Sequence, residues 1–399
     1  MGEKDGIFRL SAIALPAYGP SLLFGIAQGA LVPVIVLSAM ERGASSATAA
    51  LVAGLIGIGL LVADLPSGAL AQRFGEKRAM LMAMLAAMAG LATCVLPLSA
   101  GAPALIVYGG GILLFGMAGS VFHLARQSYL TELVPIGMRA RALSTLGGSM
   151  RIGMFLGPFA GAGAMVLIGR PGAYIVGLVA LAASGVIIVA APDLESPAQS
   201  AGPASRVALR DVLRRYRGVL ASIGLGVLLL SALRQTRQTV VPLWAAELGL
   251  GPAETSLIYG LAGALDALVF YPTGWVMDRY GRRPVAVAST LVLAAAFVAL
   301  PWSCGPVLMT VIACVMGVGN GIGAGLVMTL GADAARASDR RVFLGIWRGV
   351  GDTGSAAGPL ALAALTAVAG PSFAIMATGL LGFAAAGVFA RWVPRQSRA

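Results

Sequence analysis

The sequence predicts an all-α integral membrane protein of twelve transmembrane helices, built as two pseudo-symmetric six-helix bundles. Three observations carry this. Of 399 residues, 58% are apolar and only 11% charged, against roughly 45–50% and 25% in an average soluble domain. Long apolar runs recur along the whole chain, and twelve crossings of about 20–25 residues fit its length with room for short connections. The basic residues alternate from one loop to the next.

Breaking the apolar runs at charge clusters, Gly and Pro places six spans at 14–40, 46–71, 79–99, 103–132, 142–168 and 172–191. Six more fall at 219–246, 254–277, 284–303, 306–332, 342–368 and 371–391. The first span follows a start with no signal-peptide cleavage pattern, so it is expected to be retained as a helix. Lys and Arg of short loops concentrate on the cytoplasmic side, which tests the division. Of 28 basic residues, 21 lie in the N-terminal arm, the C-terminal tail and the loops after spans 2, 4, 6, 8 and 10, whereas only Arg42 and Arg170 occupy the opposite loops. Both termini are therefore expected in the cytoplasm, with the chain crossing a bacterial-type inner (plasma) membrane. The net charge of +12 is then a topology signal, and no nucleic-acid partner is expected.

The domain plan is a first bundle over 1–191, a cytoplasmic linker over 192–218 and a second bundle over 219–399. The linker is rich in Pro, Ser and Ala before turning basic. Leu209, Leu213 and Tyr216 share one helical face, with Arg206, Arg210, Arg214 and Arg217 largely opposite. That pattern fits a helix on an anionic leaflet or a solvated basic linker.

The halves repeat. Sliding 43–78 forward by 206 positions matches Gly43 to Gly249, Leu51 to Leu257, Gly54 to Gly260, Gly57 to Gly263, Pro66 to Pro272, Gly68 to Gly274, Arg73 to Arg279 and Gly75 to Gly281. Internal repeats of this kind are typical of secondary transporters, whose sites lie near the midplane between the halves.

The turn after span 8 reads GWVMDRYGRR, from Gly274 through Asp278, Arg279 and Gly281 to Arg282 and Arg283. It matches the G-x-x-x-D-R-x-G-R-R signature of the major facilitator superfamily, which the chain resembles over nearly its whole length. The turn after span 2 keeps Gly68, Arg73 and Gly75 but has Gln72 and Glu76 where the pattern has an acid and a base. The resemblance implies a gate at these turns, in which the glycines allow tight bends and the acid and arginines pair across helix ends. Span 5 carries Gly153, Gly157, Pro158 and Gly161, which look like the G-x-x-x-G-P-x-x-G-G motif of proton-coupled drug antiporters with Ala162 in place of the last glycine. Span 11 echoes it with Gly354, Gly358 and Pro359. Close helix packing is the simpler account of such small residues. The resemblance adds an expectation of export.

Ionisable residues inside a bilayer are costly and mark function by default. Here they are Arg126, Arg151, Arg234, Arg237 and Arg348 with Asp64, Asp266 and Asp352, all on spans 2, 4, 5, 7, 8 and 11. Spans 3, 6, 9 and 12, which the resembled fold puts outermost, have none within them, Arg391 standing at the cytoplasmic end of span 12 with the tail, so a polar central cavity is the economical reading. By helical rise, Asp266 and Arg234 lie near mid-membrane, whereas Arg126, Arg151, Arg348, Asp64 and Asp352 lie nearer the cytoplasmic ends.

Proton coupling needs a carboxylate whose charge changes with its surroundings. Burial disfavours the charged form and a nearby Arg favours it. Asp352, four residues from Arg348 and so on its face, is the first candidate, Asp266 the second, and a permanent ion pair is the alternative for Asp352. Asp64, one turn before the gate motif, is expected to act there. The excess of Arg over Asp favours an anionic substrate held by guanidinium groups, with Arg126, Arg151, Arg234, Arg237, Arg348 and the sole histidine, His123, as binding candidates. Structural roles for Arg126, Arg151 and His123 are the alternatives. Trp244, Tyr259, Tyr271 and Trp347 are candidate aromatic walls.

Cys94, Cys304 and Cys314 show no metal-ligand or disulfide spacing, and no HExxH, GxSxG or phosphate-loop motif occurs, so neither a metal, a cofactor nor an enzyme is expected. The expectation is a monomeric secondary transporter driven by the proton gradient. It exports a small organic, drug-like compound, anionic or amphipathic, in exchange for protons, with membrane lipids around it. The alternatives are an organic-anion uptake symporter or uniporter, or a lysolipid flippase on the same fold.

Overall fold

The computed structural model describes residues 14–96, 101–134, 138–191, 209–336 and 339–394. The first half contains α1 (Ala14–Glu41), α2 (Ser46–Phe74), α3 (Glu76–Val95), α4 (Ala102–Leu133), α5 (Arg139–Ile168) and α6 (Gly172–Ala190). A basic helix α7 (Leu209–Val219) leads through a short π-helical turn into α8 (Leu225–Glu247). There follow α9 (Pro252–Tyr280), α10 (Arg282–Ala299), α11 (Pro306–Ile322), α12 (Leu326–Ala334) and α13 (Arg340–Trp392).

Local chemistry sets the ends. The Ser45 hydroxyl accepts the Thr48 amide at the start of α2, a standard N-cap. Proline stands in the first turn of α4, α9 and α11, where its missing N–H costs nothing. Gly75, with φ 81°, separates α2 from α3, and its repeat partner Gly281, with φ 86°, separates α9 from α10. Both occupy backbone space that disfavours a side chain, so the duplication extends to turn geometry.

Eleven helices among the described residues are long and apolar enough to cross a membrane. The last, Val342–Trp392, runs for 51 residues, about twice one crossing. Gly370, at φ 81° and ψ 167°, breaks it beside Pro371, so α13 supplies the eleventh and twelfth crossings. Two details depart from the sequence reading. The span expected over 306–332 is broken between α11 and α12, where Gly319, Gly321, Gly323 and Gly325 crowd one short stretch and Gly325 is left-handed. Glycine so dense weakens a helix. The linker helix also continues almost directly into the seventh crossing.

Part of the α7 face expected to rest on a leaflet is used against the second bundle instead. Tyr216 is buried and its ring lies 4.3 Å from that of Phe343. Its hydroxyl accepts the Arg336 amide, and Arg215 pairs with Asp339 at 2.6 Å. Leu213 remains exposed. Residues 192–208, the rest of the expected linker, lie outside the described residues.

The seam between halves is made by α1, α2 and α5 against α8, α9 and α13, whereas α3, α6 and α10 pack within their own bundles. The turn-motif end is the one carrying Gly75 and Gly281. The far end carries Ser46 and Glu247.

Candidate functional site

Between the halves lies a cavity of about 790 Å³. Its lining includes Ser144 near the start of α5, Gln127 near the end of α4 and Met328 on α12, so it extends toward the turn-motif end. The other end is shut. Ser46 donates to Glu247 across the halves at 2.6 Å. A side chain at Gly260 would meet the Phe159 ring at 2.9 Å, and one at Gly54 would meet Pro359 at 3.1 Å.

The polar centre sits on the second half. Arg237 on α8 stands 3.3 Å from Asp266 Oδ2 on α9. Asn320 on α11 donates its side-chain amide to the same oxygen at 2.5 Å. Arg234, one turn before Arg237, donates to the Asn320 side-chain oxygen at 2.9 Å and to its backbone carbonyl at 2.7 Å. Arginine only donates and a carboxylate only accepts, so these partners fix which way the amide points. Asp266 Oδ1 and Arg237 Nε are buried with no hydrogen-bond partner among the described residues. A buried polar group without a partner is costly, and both atoms belong to residues that line the cavity.

The first half contributes positive charge. Arg151 on α5 places its guanidinium 4.5 Å from the centre of the Phe270 ring on α9, across the seam. Arg126 on α4 is fully buried, with one terminal nitrogen donating to the Pro16 carbonyl and the guanidinium 5.6 Å from the Tyr129 ring. One part of Arg126 therefore anchors α1 to α4, while the residue also lines the cavity and its Nε is unpartnered. His123, one turn earlier, packs edge-on against Phe24 with ring centres 5.3 Å apart.

Arg348 and Asp352 form an ion pair at 3.6 Å, with side chains 66% and 38% exposed. Neither lines the central cavity. Asp64 accepts the Ser120 hydroxyl at 2.6 Å and, with Arg348, is close enough to act electrostatically on His123. These groups form a second charged cluster where α2, α4 and α13 meet. Of the eight buried charges expected from the sequence, Arg151, Arg348 and Asp64 are exposed, because depth along a helix says nothing about which way a residue faces.

The contacts of Arg282, Arg279 and Arg73 in the turn motifs stay within their own halves. Arg282 bonds Asp278 at 3.3 Å and Asp333 at 3.1 Å. Arg279 stacks near Trp275, and Arg73 near Phe74. The span 5 glycines join α5 to α1. A Cβ on Gly157 would lie 2.5 Å from the Ile26 carbonyl, one on Gly153 would collide with the Leu22 carbonyl, and one on Gly161 would touch Ala30. Gly354 and Gly358 bring α13 onto α8 in the same manner, against Leu228 and Ala232.

The sequence reading missed Asn320, Gln127 and Gln238, all of which line the cavity. Asn320 did leave a signal, being the one asparagine in the sequence. Of the four candidate aromatic walls, Tyr259 lines the cavity. Trp244 instead donates to Ser303 and Trp347 to the Val327 carbonyl, and the Tyr271 side chain lies outside the described residues. No three His, Cys, Asp or Glu side chains come together as a metal site among the described residues.

A family model described as Major Facilitator Superfamily matches residues 21–234 and 223–399. Among solved structures, a nucleoside transporter aligns with TM-score 0.78 at 14% identity, covering 96% of this chain and 100% of that one. A peptide transporter in complex with sulfate gives 0.76 at 13%, covering 99% and 96%. The xylose transporter XylE from E. coli, inward open, gives 0.71 at 15%, covering 98% of each chain. No curated protein matches the sequence.

Proposed function

The chain belongs to the Major Facilitator Superfamily and is a multi-pass membrane transporter rather than an enzyme; from that premise we propose that it moves a small organic anion together with a proton by alternating access. The observation that carries this reading is the Arg237–Asp266 pair in the central cavity. One carboxylate lines the cavity together with Arg126, Arg151 and Arg237, with Arg234 tied to it through Asn320, an excess of positive charge that favours an anion. At an effective dielectric of about 20, a charge pair 4 Å apart is worth about 4 kcal/mol.

The same pair supplies coupling. While Asp266 is ionised it occupies Arg237, and a substrate anion must compete for that guanidinium. A proton on Asp266 weakens the hold and frees Arg237. Proton and anion therefore favour each other's binding, a reciprocal linkage. Partners that bind together travel together, so the electrostatics support symport. Asp266, rather than Asp352, is the carrier in this scheme, because Asp352 and Arg348 lie outside the cavity lining.

With the basic loops on the cytoplasmic side of an inner membrane, the turn-motif end faces inward and this conformation is open to the cytoplasm. The glycine–proline motif of α5 favours a second reading, proton-coupled export of the same substrate class.

Proteoliposomes under an imposed proton gradient separate the two. Anion accumulation in the compartment toward which protons run supports symport. Accumulation against the proton flow supports export, and anion movement indifferent to the gradient overturns coupling altogether.

A further inference from the structure

The cavity lining is polar and charged around Arg237, Asp266, Arg126, Arg151 and Ser144, yet it also carries one apolar stripe. Arg237, Asp266 and Asn320 gather on the second half. Facing them on α5, Leu143, Leu146, Met150 and Met154 recur at spacings of three and four and all line the cavity, which places them on one helical stripe. Met328 on α12 adds another apolar side chain to the lining and is 79% exposed.

Two contacts fix the register of this stripe against α9. Phe159 meets Gly260 and Arg151 meets Phe270, so in this antiparallel pair Asp266 stands opposite the level of Met154 and Phe155. From there to Leu143 the stripe runs about 16 Å by helical rise, toward the turn-motif end. A fully polar anion would leave this apolar wall against water. Methionine side chains adapt to varied apolar shapes.

We propose that the transported anion is a single-chain amphiphile with a small monoanionic head. This rests on the anion reading of the same cavity. The head engages Arg237 beside Asp266, and the chain lies along Met154, Met150, Leu146 and Leu143, pointing to the turn-motif end. Charge complementarity fixes one end of the ligand and the length of the stripe fixes the other.

The test uses butane-, octane- and dodecanesulfonate, whose permanent charge prevents them from carrying protons across a bilayer unaided. Proton flux triggered by each is followed with a pH-sensitive dye in proteoliposomes, with empty liposomes as the control. Half-maximal concentration should fall by about threefold for each added methylene, near the ceiling for burying a CH₂. Met150→Gln and Met154→Gln should shrink the octane-to-butane preference at least about fivefold, and Met150→Leu should restore it. Dodecylphosphocholine, zwitterionic with the same chain, should trigger no flux. Equal half-maximal concentrations across chain lengths, with flux still present, overturn the amphiphile and leave anion transport standing. Flux driven equally by dodecylphosphocholine overturns the monoanionic head. No flux from any sulfonate overturns both the amphiphile and the anion reading beneath it.

Discussion

Asn320 meets Asp266 Oδ2 at 2.5 Å, and it does so from a helix that ends two residues later, at Ile322. The carboxylate at the centre of the cavity is thus tied to the edge of a break. Discontinuous helices at a transporter's binding site let backbone and side chain shift without unwinding a whole crossing. Through the same amide, Arg234 is drawn into the network. A change of charge on Asp266 is felt on α8, α9 and α11 together.

Asp266→Asn keeps the shape and removes the titrating group. Uphill anion transport driven by a proton gradient should fall at least about tenfold, while exchange of labelled for unlabelled substrate at equal concentrations persists. Retention of gradient-driven accumulation would move the coupling role elsewhere, with the Arg348–Asp352 cluster next in line.

Arg237→Lys retains charge but loses the planar fork that can serve Asp266 and a substrate anion at once. Substrate affinity should weaken by about tenfold or more, and Arg237→Gln should weaken it further. Binding measured by calorimetry in nanodiscs checks this, and an unchanged affinity in the lysine variant would exclude two-point recognition.

Gly157→Ala forces a methyl to within 2.5 Å of the Ile26 carbonyl and 2.6 Å of the Ala30 amide. Overpacking of this kind costs about 1–3 kcal/mol, and melting in detergent should drop by several degrees. Gly163→Ala, on the same helix with nothing within 4 Å, should melt like the parent. Equal melting of the two variants would show that α1 and α5 yield at their contact.

Ser46→Ala removes a hydrogen bond to a carboxylate at the sealed end, a loss of about 1–2 kcal/mol at an exposed site. The equilibrium should shift at least about fivefold toward the state open at that end. Spin-label distances between the helix ends around residues 46 and 247 report it, and an unchanged distribution would mean that the glycine contacts alone hold the seal.

Much of the architecture was legible because a membrane imposes coarse rules. Apolar runs, alternating basic loops and the offset of 206 need no knowledge of packing. The charged members of the central site were legible for the same reason, since Arg234, Arg237 and Asp266 are expensive in a bilayer and declare themselves. Asn320 carries no charge and hides in a glycine-rich run, although its being the single asparagine was a usable clue. Which carboxylate occupies the centre was not legible. Asp352 and Asp266 differ in rotation about their helix axes and in what crosses opposite them, and spacing within one helix encodes neither. Arg126 shows the same limit, because its bond to the Pro16 carbonyl depends on how α1 settles against α4.

The turns at the far end are short. Among the described residues, α1 to α2, α5 to α6 and α8 to α9 are joined by four residues or fewer, α10 to α11 by six, and the two crossings of α13 by the bend at Gly370. That face gives proteases, antibodies or binding proteins very little backbone to grasp. On the opposite face, the α7 helix and the basic turns offer partners a far larger foothold.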